Sequence, residues 1–427
     1  MVDLFQHELR LHADPGRVVV RPFHLAWQAS GPDIERVRKL VGDIIALDPR
    51  SVRSEMGIVL NDFADRHWQL ERVFDDRYKQ IEFALKLDGS TIKRNTKRLI
   101  GAYFCHEYSF AAAALMNPSV VRHPDQSGLQ RGSVRVLISL RAVGEGHIST
   151  IAFREGIISA GRNLTLSHQP AFATAAMLGK PKRDAADGEV SVYRHPEASL
   201  SGTVIFPMTE AQRNGLEDLR LVEFEHDNGD SEWVGTYTAY SGRDIRSELL
   251  CTRDFHDFTL TPIRGSAGRN KGMALFPRKI DGQYLMIGRQ DGKNLYLLRS
   301  DNVEEWDDGA LLLEPKFPWE FVQIGNCGAP IELDEGWLVL THGVGAMRKY
   351  AIGAALLDKS DPSRVLGRTA SPILSAADED REGYVPNVVY TCGAIRVGDD
   401  LFLPYGVADS SVCFAFVAIR DILAQMQ

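Results

Sequence analysis

Hydrophobic positions along most of this chain alternate with the two-residue period of strands, and one arrangement of them recurs five times. In each copy an apolar strand ends in a polar or aromatic residue, a turn follows, and a second apolar strand comes next. The residues that end the first strands are Arg141, Tyr237, Arg289, His342 and Tyr405. A supersecondary unit repeated at roughly 50 residues is typical of propellers and solenoids. We therefore expect these five side chains to face one shared axis.

A polar residue precedes the first strand of each copy at a similar distance. These polar landmarks are Asn117, Glu217–Asp218, Asn270–Lys271, Asn326 and Asn387. The interval between the first and second copies is longer, which predicts an insertion or a long loop over residues 160–215. Closing an array of sheets into a ring removes most exposed strand edges. The sequence thus predicts an all-β five-bladed β-propeller over residues 117–427.

The N-terminal part, residues 1–116, has a different pattern. Residues 17–23 predict a short strand, and from Asp33 to Met116 the apolar positions follow helical spacing, with two longer helices expected over 51–86 and 90–116. A short helix is expected again over 420–427. The amphipathic helices are too hydrophobic to remain free, so we expect this extension to pack on the propeller or on another subunit, as in a homo-oligomer.

Composition narrows the classes of partner. The chain has 427 residues, of which 44% are hydrophobic and 25% charged, with a net charge of -8. This charge argues against bulk binding of nucleic acid or anionic membranes, although a local basic pocket stays possible. No apolar run is long enough for a bilayer, and the first residues do not resemble a secretory signal. Five scattered cysteines, none in a Cys-x-x-Cys pair, predict reduced thiols and a cytoplasmic protein.

The first candidate site is the adjacent pair Glu217–Asp218, which stands before an apolar strand. In a regular strand two adjacent side chains point opposite ways, so one of them is expected to enter a pocket. A crowded, partly dry pocket disfavours the charged form of a carboxylate, raises its pKa and makes it a usable acid. The alternative is a solvated acidic loop in which Arg220 is an ion-pair partner.

The second candidate site consists of cations and one histidine: Arg269, Asn270, Lys271, Arg289 and His342. Guanidinium groups bind phosphate or carboxylate in a forked geometry, and a histidine adds a donor, so their convergence would suit an oxyanion such as phosphate. The alternative is that Arg269 and Lys271 lie on a wet loop while Arg289 makes a structural salt bridge. Neither a metal-ligand spacing nor a nucleotide phosphate loop is present, so no metal and no cofactor are expected.

Several motifs occur in consistent order over about residues 117–417. They are Glu217-Asp218-Leu219-Arg220, Asn270-Lys271-Gly272 with Leu275-Phe276-Pro277, Ile324-Gly325 with Gly328 and Pro330-Ile331, Gly336-Trp337-Leu338 with His342-Gly343-Val344, Gly353-Ala354-Ala355-Leu356-Leu357-Asp358 with Asp361-Pro362, Val385-Pro386-Asn387-Val388-Val389, and Tyr405-Gly406 with Ala408-Asp409. As a set, they resemble glycoside hydrolase family 130, the β-mannoside phosphorylases and mannosidases.

The resemblance implies a five-bladed β-propeller and an inverting reaction with one protein acid, which falls on Asp218. Its proton would reach the glycosidic oxygen through a sugar hydroxyl, while inorganic phosphate, the co-substrate, attacks the anomeric carbon and releases α-mannose 1-phosphate. The positions that match phosphate ligands are Arg269, Asn270, Arg289 and His342. The positions expected to contact the β-mannoside are Asn117, Arg141, Glu217, Tyr237 and Asp409.

Two departures leave other readings open. Gln323 stands where the phosphorylases usually carry a lysine, and Gly288 stands where a histidine often precedes the arginine. A mannosidase on the same scaffold would need a second carboxylate about 6.5–9.5 Å from the acid, for which Glu145 or Glu217 is a candidate. A non-catalytic glycan-binding propeller is the third reading. Since Arg289 and His342 are retained, phosphorolysis is favoured, with the linkage and acceptor sugar left open.

Overall fold

The computed structural model describes residues 2–23, 32–180 and 185–427, except for the side chains of residues 32, 33 and 379. Residues 24–31 of the predicted extension and residues 181–184 of the predicted insertion lie outside the described residues. The chain divides into two compact units. Unit 1 comprises Met1–Pro15, Phe110–Pro170 and Ala175–Gln427, and unit 2 comprises Gly16–Ser109 and Ala171–Thr174.

Five α-helices occur in the described ranges. They are α1 (Pro32–Ile45), α2 (Pro49–Phe63), α3 (Leu70–Leu85), α4 (Arg94–Tyr103) and α5 (Ile419–Leu423). The start of α2 is capped by Asp48, whose Oδ1 accepts hydrogen bonds from the backbone N–H groups of Arg50 and Ser51 at 2.8 and 3.2 Å. None of the described helices is long and apolar enough to cross a membrane.

The strands, in chain order, complete the inventory. The first fifteen are β1 (Leu4–His12), β2 (Val18–Pro22), β3 (Cys105–Ser109), β4 (Ala114–Arg122), β5 (Val134–Val143), β6 (Ser149–Ser159), β7 (Asn163–Leu166), β8 (Thr174–Ala175), β9 (Met177–Leu178), β10 (Val190–Tyr193), β11 (Thr203–Ile205), β12 (Gly215–Glu225), β13 (Ser231–Tyr240), β14 (Ile245–Thr252) and β15 (Asp257–Pro262). The remainder are β16 (Ala274–Leu275), β17 (Tyr284–Gly288), β18 (Leu295–Ser300), β19 (Ala310–Leu313), β20 (Gln323–Asn326), β21 (Ile331–Glu332), β22 (Trp337–Val344), β23 (Tyr350–Leu357), β24 (Val365–Arg368), β25 (Leu374–Ser375), β26 (Val389–Tyr390), β27 (Ile395–Val397), β28 (Asp400–Val407) and β29 (Ser411–Ala418).

The helical prediction for the N-terminal part was wrong in two places. Residues 64–69 separate α2 from α3, so that Met56 and Phe74 are buried in one core with Ile100. The last predicted helix ends at Tyr103 rather than at residue 116, because the chain from Cys105 onward pairs with β2 as strand β3. Strand pairing that depends on a distant segment overrides local helical spacing.

The five predicted strand–turn–strand copies are confirmed as antiparallel hairpins. They are β5–β6, β13–β14, β17–β18, β22–β23 and β28–β29. Each hairpin has a further strand on the side of its polar landmark, namely β4, β12, β16, β20 and β26. The landmarks therefore lie in or beside a strand of their own, not just ahead of the first strand. Three of these additional strands have only two to four residues, which is too short for a clear alternating pattern.

The strands of unit 1 form five groups. Group I contains β4–β7 and β11, group II contains β9, β10 and β12–β15, group III contains β16–β19, group IV contains β20–β25, and group V contains β26–β29 and β1. Groups I and II meet in one parallel bridge between Ser149 and Gly215. Strand β1 pairs with β29, so the N-terminal strand completes the last group. The predicted 160–215 insertion contributes β7 and β9–β11 to groups I and II.

Five buried cores connect these groups in sequence. Groups I and II share Phe153 and Leu221, groups II and III share Phe224 and Met286, groups III and IV share Phe276 and Trp337, and groups IV and V share Leu340 and Leu403. A fifth core joins group V back to group I through Phe402, Phe414, Val136 and Ile138. Each group therefore buries one face against the next group and the other face against the previous one, so neither face of its central strands meets water.

Substitution Phe402→Ala tests the core between groups V and I. Phe402 is fully buried and stacks on Phe414, with ring centroids 6.0 Å apart. Removing the ring leaves a cavity, and we expect the free energy of unfolding to fall by about 3–5 kcal/mol. Phe321→Ala in the same unit is the matched control, because Phe321 is 60% exposed and its loss should change stability by less than about 0.5 kcal/mol. Equal effects in urea-unfolding curves would contradict this packing.

Candidate functional site

The predicted site residues come from separate strand groups, and most of them line one cavity in unit 1. The cavity has a volume of about 410 Å³. Its lining consists of Asn117, Arg141, Glu217, Asp218, Arg220, Lys271, Gly272, Arg289, Gln323, Gly325, Asn326, His342, Arg348, Tyr350, Val388, Tyr390 and Asp409. The first, second, third and fourth polar landmarks all contribute to this wall. Polar and charged groups dominate the lining, which suits a hydrophilic substrate.

Two β-bulges aim the acidic part of the site. The register of β4 with β5 shifts between Met116 and Ser119, and the register of β12 with β13 shifts between Glu217 and Arg220. At the bulges Asn117 and Asp218 adopt left-handed backbone angles, with φ of 48° and 57°. Asn and Asp tolerate this region better than other side-chain-bearing residues, and bulges commonly redirect side chains at functional sites.

The bulge in β12 also changes the expected direction of the two acids. Regular strand geometry would send adjacent side chains to opposite faces, and we expected only one to enter a pocket. Instead, Glu217 and Asp218 both line the cavity. The expectation was wrong because the additional residue at the bulge interrupts the alternation, a feature that the sequence pattern does not reveal.

Arg141 holds both carboxylates. Its Nη2 lies 2.5 Å from Oε1 of Glu217 and its Nη1 lies 3.1 Å from Oδ1 of Asp218. The third nitrogen, Nε, donates to Oγ of Ser149 at 2.9 Å. Asn117 Nδ2 donates a further hydrogen bond to the same Asp218 oxygen at 2.5 Å. Because a guanidinium presents its donors in a rigid fork, these bonds fix the relative position of the two acids.

Arg220 supports Asp218 from the backbone side. Its Nη1 donates to the carbonyl oxygen of Asp218 at 3.0 Å, and its Nη2 donates to the hydroxyl of Tyr390 at 2.7 Å. Arg220 is only 3% exposed. The prediction of Arg220 as an ion-pair partner on a solvated loop therefore does not describe its position, since its charge is buried beneath the site.

The electrostatics around Asp218 differ from the raised pKa that the sequence suggested for the acid. Burial acts to raise the pKa of Asp218, but the positive charges of Arg141 and Arg220 act in the opposite direction. Lys271 and the hydrogen bond from Asn117 add to this effect, and the pKa falls to about 2. In the cavity without substrate Asp218 is therefore ionised at neutral pH.

The other two cavity carboxylates have raised pKa values. Burial raises the pKa of Glu217 against the opposing charge of Arg141, and the neighbouring Asp218 raises it further. Burial likewise raises the pKa of Asp409, to about 6, with the negative charge of Asp218 contributing and Arg141 and Arg348 opposing. Three acids in one cavity thus differ in their protonation, as like charges in a confined space require.

His342 is held in a defined form. It is 3% exposed, and burial together with the charges of Arg289 and Arg220 lowers its pKa well below the ordinary value. Its Nδ1 lies 3.2 Å from the carbonyl oxygen of Asn326, which can only accept, so Nδ1 carries the proton. The ring is neutral, and Nε2 presents a lone pair. His342 also packs against Tyr390, with centroids 4.7 Å apart.

Three cations of the lining have no carboxylate partner. Within the described part of the chain, no acidic oxygen lies within salt-bridge distance of Lys271, Arg289 or Arg348. The Nε atom of Arg289 is buried and has no hydrogen-bond partner among these residues. A buried donor without a partner costs free energy unless a ligand satisfies it. The cavity therefore has both an acidic region and unsatisfied positive charge.

Four residues that the sequence singled out lie elsewhere. Arg269 is exposed and does not line the cavity. The side chain of Asn270 is used inside its own loop, where its Oδ1 accepts from Lys271 N at 3.1 Å. Tyr237 is buried and hydrogen-bonded to Gln212 and Glu248. Tyr405 is buried in the core between groups IV and V, so the five strand-end residues do not all face one axis.

Sequence reasoning did not assign a role to several lining residues. They are Gly272, Gly325, Arg348, Tyr350, Val388 and Tyr390. A signal was available for some of them, because Arg348 and Tyr350 follow the His342-Gly343-Val344 motif and Tyr390 follows Asn387-Val388-Val389. Single positions beside a motif cannot be separated from ordinary strand residues without knowing which face of the strand is buried.

The raised pKa of Asp409 predicts a pH-dependent stability difference. Since folding raises its pKa from 3.8 to about 6, the stability that this carboxyl contributes is present below pH 4 and is lost as the pH rises through about 6. Asp409→Asn cannot ionise, so the variant should be more stable than the parent at pH 7.5, by on the order of 2 kcal/mol, and equal to it near pH 4. Thermal unfolding across this range, with exposed Asp399→Asn as the control, checks the prediction. A difference that does not change with pH would contradict it.

Comparison with known proteins agrees with this arrangement of residues. A sequence model of glycoside hydrolase family 130, described as β-1,4-mannooligosaccharide phosphorylase, matches residues 186–427. The β-1,2-mannobiose phosphorylase of Listeria innocua is 35% identical over 233 residues, which are 52% of this chain and 63% of that protein. The 1,2-β-oligomannan phosphorylase of a Thermoanaerobacter species is 33% identical over 228 residues, which are 52% of this chain and 75% of that protein.

Solved structures give the same grouping. The Listeria innocua β-1,2-mannobiose phosphorylase in complex with β-1,2-mannobiose aligns with a TM-score of 0.53 and 25% sequence identity, covering 74% of this chain and 92% of that chain. The mostly-β fold, the ordered motifs and the matched family model agree with the resemblance drawn from the sequence. This chain belongs to glycoside hydrolase family 130.

Proposed function

We propose that this protein is an inverting β-mannoside phosphorylase that converts a β-mannoside and inorganic phosphate into α-mannose 1-phosphate. The observation that carries the proposal is the combination, in one cavity, of a carboxylate held by Arg141 with unpartnered cations, including Arg289. An acid and an anion site side by side are what phosphorolysis requires. The relatives from Listeria and Thermoanaerobacter, which are named as phosphorylases of β-1,2-mannosides, support the same assignment.

In this proposal Asp218 is the acid, and its proton reaches the glycosidic oxygen through a hydroxyl of the bound sugar. A phosphate oxygen forms the new bond to the anomeric carbon from the opposite face while the glycosidic bond breaks. Hydrogen phosphate carries one proton, and this proton balances the one that the leaving sugar takes up. The lone pair of His342 Nε2 is suited to accept the proton of the phosphate P–OH group.

The low pKa of Asp218 belongs to the cavity without substrate. Arg141, Arg220 and Lys271 keep the carboxyl ionised there. A phosphate with two negative charges placed beside Lys271 and Arg289 would offset part of this positive charge, and a bound sugar would displace water. Both changes disfavour a second negative charge nearby and raise the pKa of Asp218 toward the range of a working acid.

The sugar is proposed to occupy the acidic side of the cavity. Asn117, Arg141 and Asp409 are the polar groups available to its hydroxyls, with Glu217 beside them. The hydrolase alternative has less support. Glu145 is exposed and does not line the cavity, and Glu217 is held by Arg141 directly beside the acid, so neither stands across from Asp218 as a separate base.

For the architecture we propose a five-bladed β-propeller in which groups I to V are the blades. The five pairwise cores and the core that links group V with group I support ring closure. Strand β1 supports it as well, because its pairing with β29 lets the two ends of the chain share one blade. Residues 117–427 would then form the catalytic domain and residues 1–116 its N-terminal extension. The five free cysteines agree with a proposed cytoplasmic location.

We propose in addition that the helices of unit 2 mediate a homo-oligomer. Ile58 on α2, Phe83 on α3 and Tyr103 on α4 are 52%, 87% and 43% exposed. Exposed apolar side chains of this size are typical of contact surfaces. Sedimentation should show a mass above that of one chain, and Phe83→Asp should shift the protein toward the monomer. A parent protein that sediments as a monomer at all concentrations would remove the proposal.

The deciding assay measures sugar release from β-1,2-, β-1,3- and β-1,4-mannobiose with and without phosphate. We expect release from at least one of them to require phosphate and to yield α-mannose 1-phosphate. Asp218→Asn should lower kcat by about 10²- to 10⁴-fold, because it removes the proton donor while keeping the side-chain shape. Asp244→Asn, an exposed acid outside the cavity, is the control and should retain full activity.

The same assay separates the alternatives. Release of free mannose at equal rates with and without phosphate would identify a mannosidase. Binding of mannooligosaccharide without cleavage in any condition would identify a glycan-binding protein. Near-normal turnover by Asp218→Asn would exclude Asp218 as the acid.

A further inference from the structure

The cavity contains more positive charge than its carboxylates neutralise, and one source of this charge was not predicted. Of the run Arg269-Asn270-Lys271, only Lys271 lines the cavity, whereas Arg269 is exposed and Asn270 is part of the loop. Gln323, on the wall from group IV, is neutral. We propose that Lys271 binds the phosphate co-substrate directly. This inference rests on the proposed function and names a further residue of that site.

The loop that carries Lys271 is fixed on both sides. Ser247 of β14 donates its hydroxyl to the carbonyl oxygen of Asn270 at 2.6 Å, and Asn270 Oδ1 accepts from Lys271 N at 3.1 Å. On the other side Asn326 of β20 donates to the carbonyl oxygen of Gly272 at 2.5 Å. Lys271 thus stands between anchors in groups II and IV, so the ordering of its backbone is completed before a ligand binds.

Gly272 sets the turn that follows Lys271. Its φ is 81°, in the left-handed region that glycine adopts without strain. A Cβ at this position would lie 3.9 Å from Nη2 of Arg220, so the loop passes close to the buried arginine behind Asp218. The turn therefore places the lysine beside the acid while its backbone is held by hydrogen bonds.

The charge of Lys271 is available to a ligand. Lys271 lies near enough to lower the pKa values of Glu217 and Asp218, yet neither carboxylate comes within salt-bridge distance of it in the described part of the chain. Both acids are bonded to Arg141 instead. An incoming phosphate would meet Lys271, the unpartnered Nε of Arg289 and the lone pair of His342 on the wall of one cavity.

A second role must be distinguished from phosphate binding. Lys271 could act only through the two acids, keeping them ionised. Its removal would then shift the pH dependence of kcat while leaving the affinity for phosphate unchanged. Direct binding predicts the opposite division, with a weaker affinity and a larger KM for phosphate but little change in the KM for the mannoside.

Calorimetric titration with inorganic phosphate alone tests the inference on the full chain. A charge-assisted contact accounts for at least about a tenfold difference in affinity, so Lys271→Gln should bind phosphate about tenfold more weakly or worse. Lys349→Gln is the matched control, because Lys349 is close in sequence to the cavity residue Arg348 but does not line the cavity. Adding Gln323→Lys to Lys271→Gln should recover binding, since it returns a cation to the opposite wall. Unchanged thermal unfolding of Lys271→Gln verifies that it is folded.

The outcomes separate this inference from the proposed function. Equal phosphate affinity of Lys271→Gln and the parent would overturn it, as would a parent that binds no phosphate. A parent that binds phosphate but cleaves mannosides without requiring it would end the phosphorylase proposal. The loss of binding in Lys271→Gln would in that case still establish Lys271 as an anion ligand.

Discussion

Arg141 occupies the position on which the site depends, because its guanidinium lies between two carboxylates that are adjacent in sequence and share one buried cavity. Without that charge, Glu217 and Asp218 would repel each other in surroundings that already disfavour ions. The forked bonds to both acids convert a repulsive pair into a fixed arrangement, and Arg220 secures the backbone of Asp218 from beneath. Geometry and protonation in this cavity are therefore set by the same contacts.

The scaffold makes such an arrangement possible by bringing together strands that are far apart along the chain. Each group of strands is buried against two neighbours, so its position is fixed on both faces, and the short strands that carry Asn117, Asp218 and Asn326 meet at one cavity. Bulges with left-handed backbone angles at Asn117 and Asp218 interrupt the regular alternation of side chains there. Departures from ideal strand geometry are thus confined to the places where polar side chains must converge.

The division of the cavity into a neutralised acidic side and an unneutralised basic side has a chemical consequence. The acidic side is satisfied by the protein itself, whereas Lys271 and Arg289 lack protein carboxylates and leave positive charge for a ligand. An anion bound there changes the field at Asp218, so the two halves of the cavity are electrostatically linked. Such linkage offers a physical route by which a carboxylate that is ionised in the empty site becomes an acid in the loaded one.

The sequence by itself determined the five hairpins, the family, and the importance of the Glu217–Asp218 motif, because alternating hydrophobicity and ordered motifs are local properties of the chain. Tertiary structure alone decided which polar residues meet. It placed Lys271 rather than Arg269 at the cavity, buried Tyr237 in a hydrogen-bonded core, and lowered the pKa of Asp218 where burial alone predicted an increase. The reason is that side-chain direction at a bulge and the sum of charges around a buried group depend on strands distant in sequence, which local periodicity cannot encode.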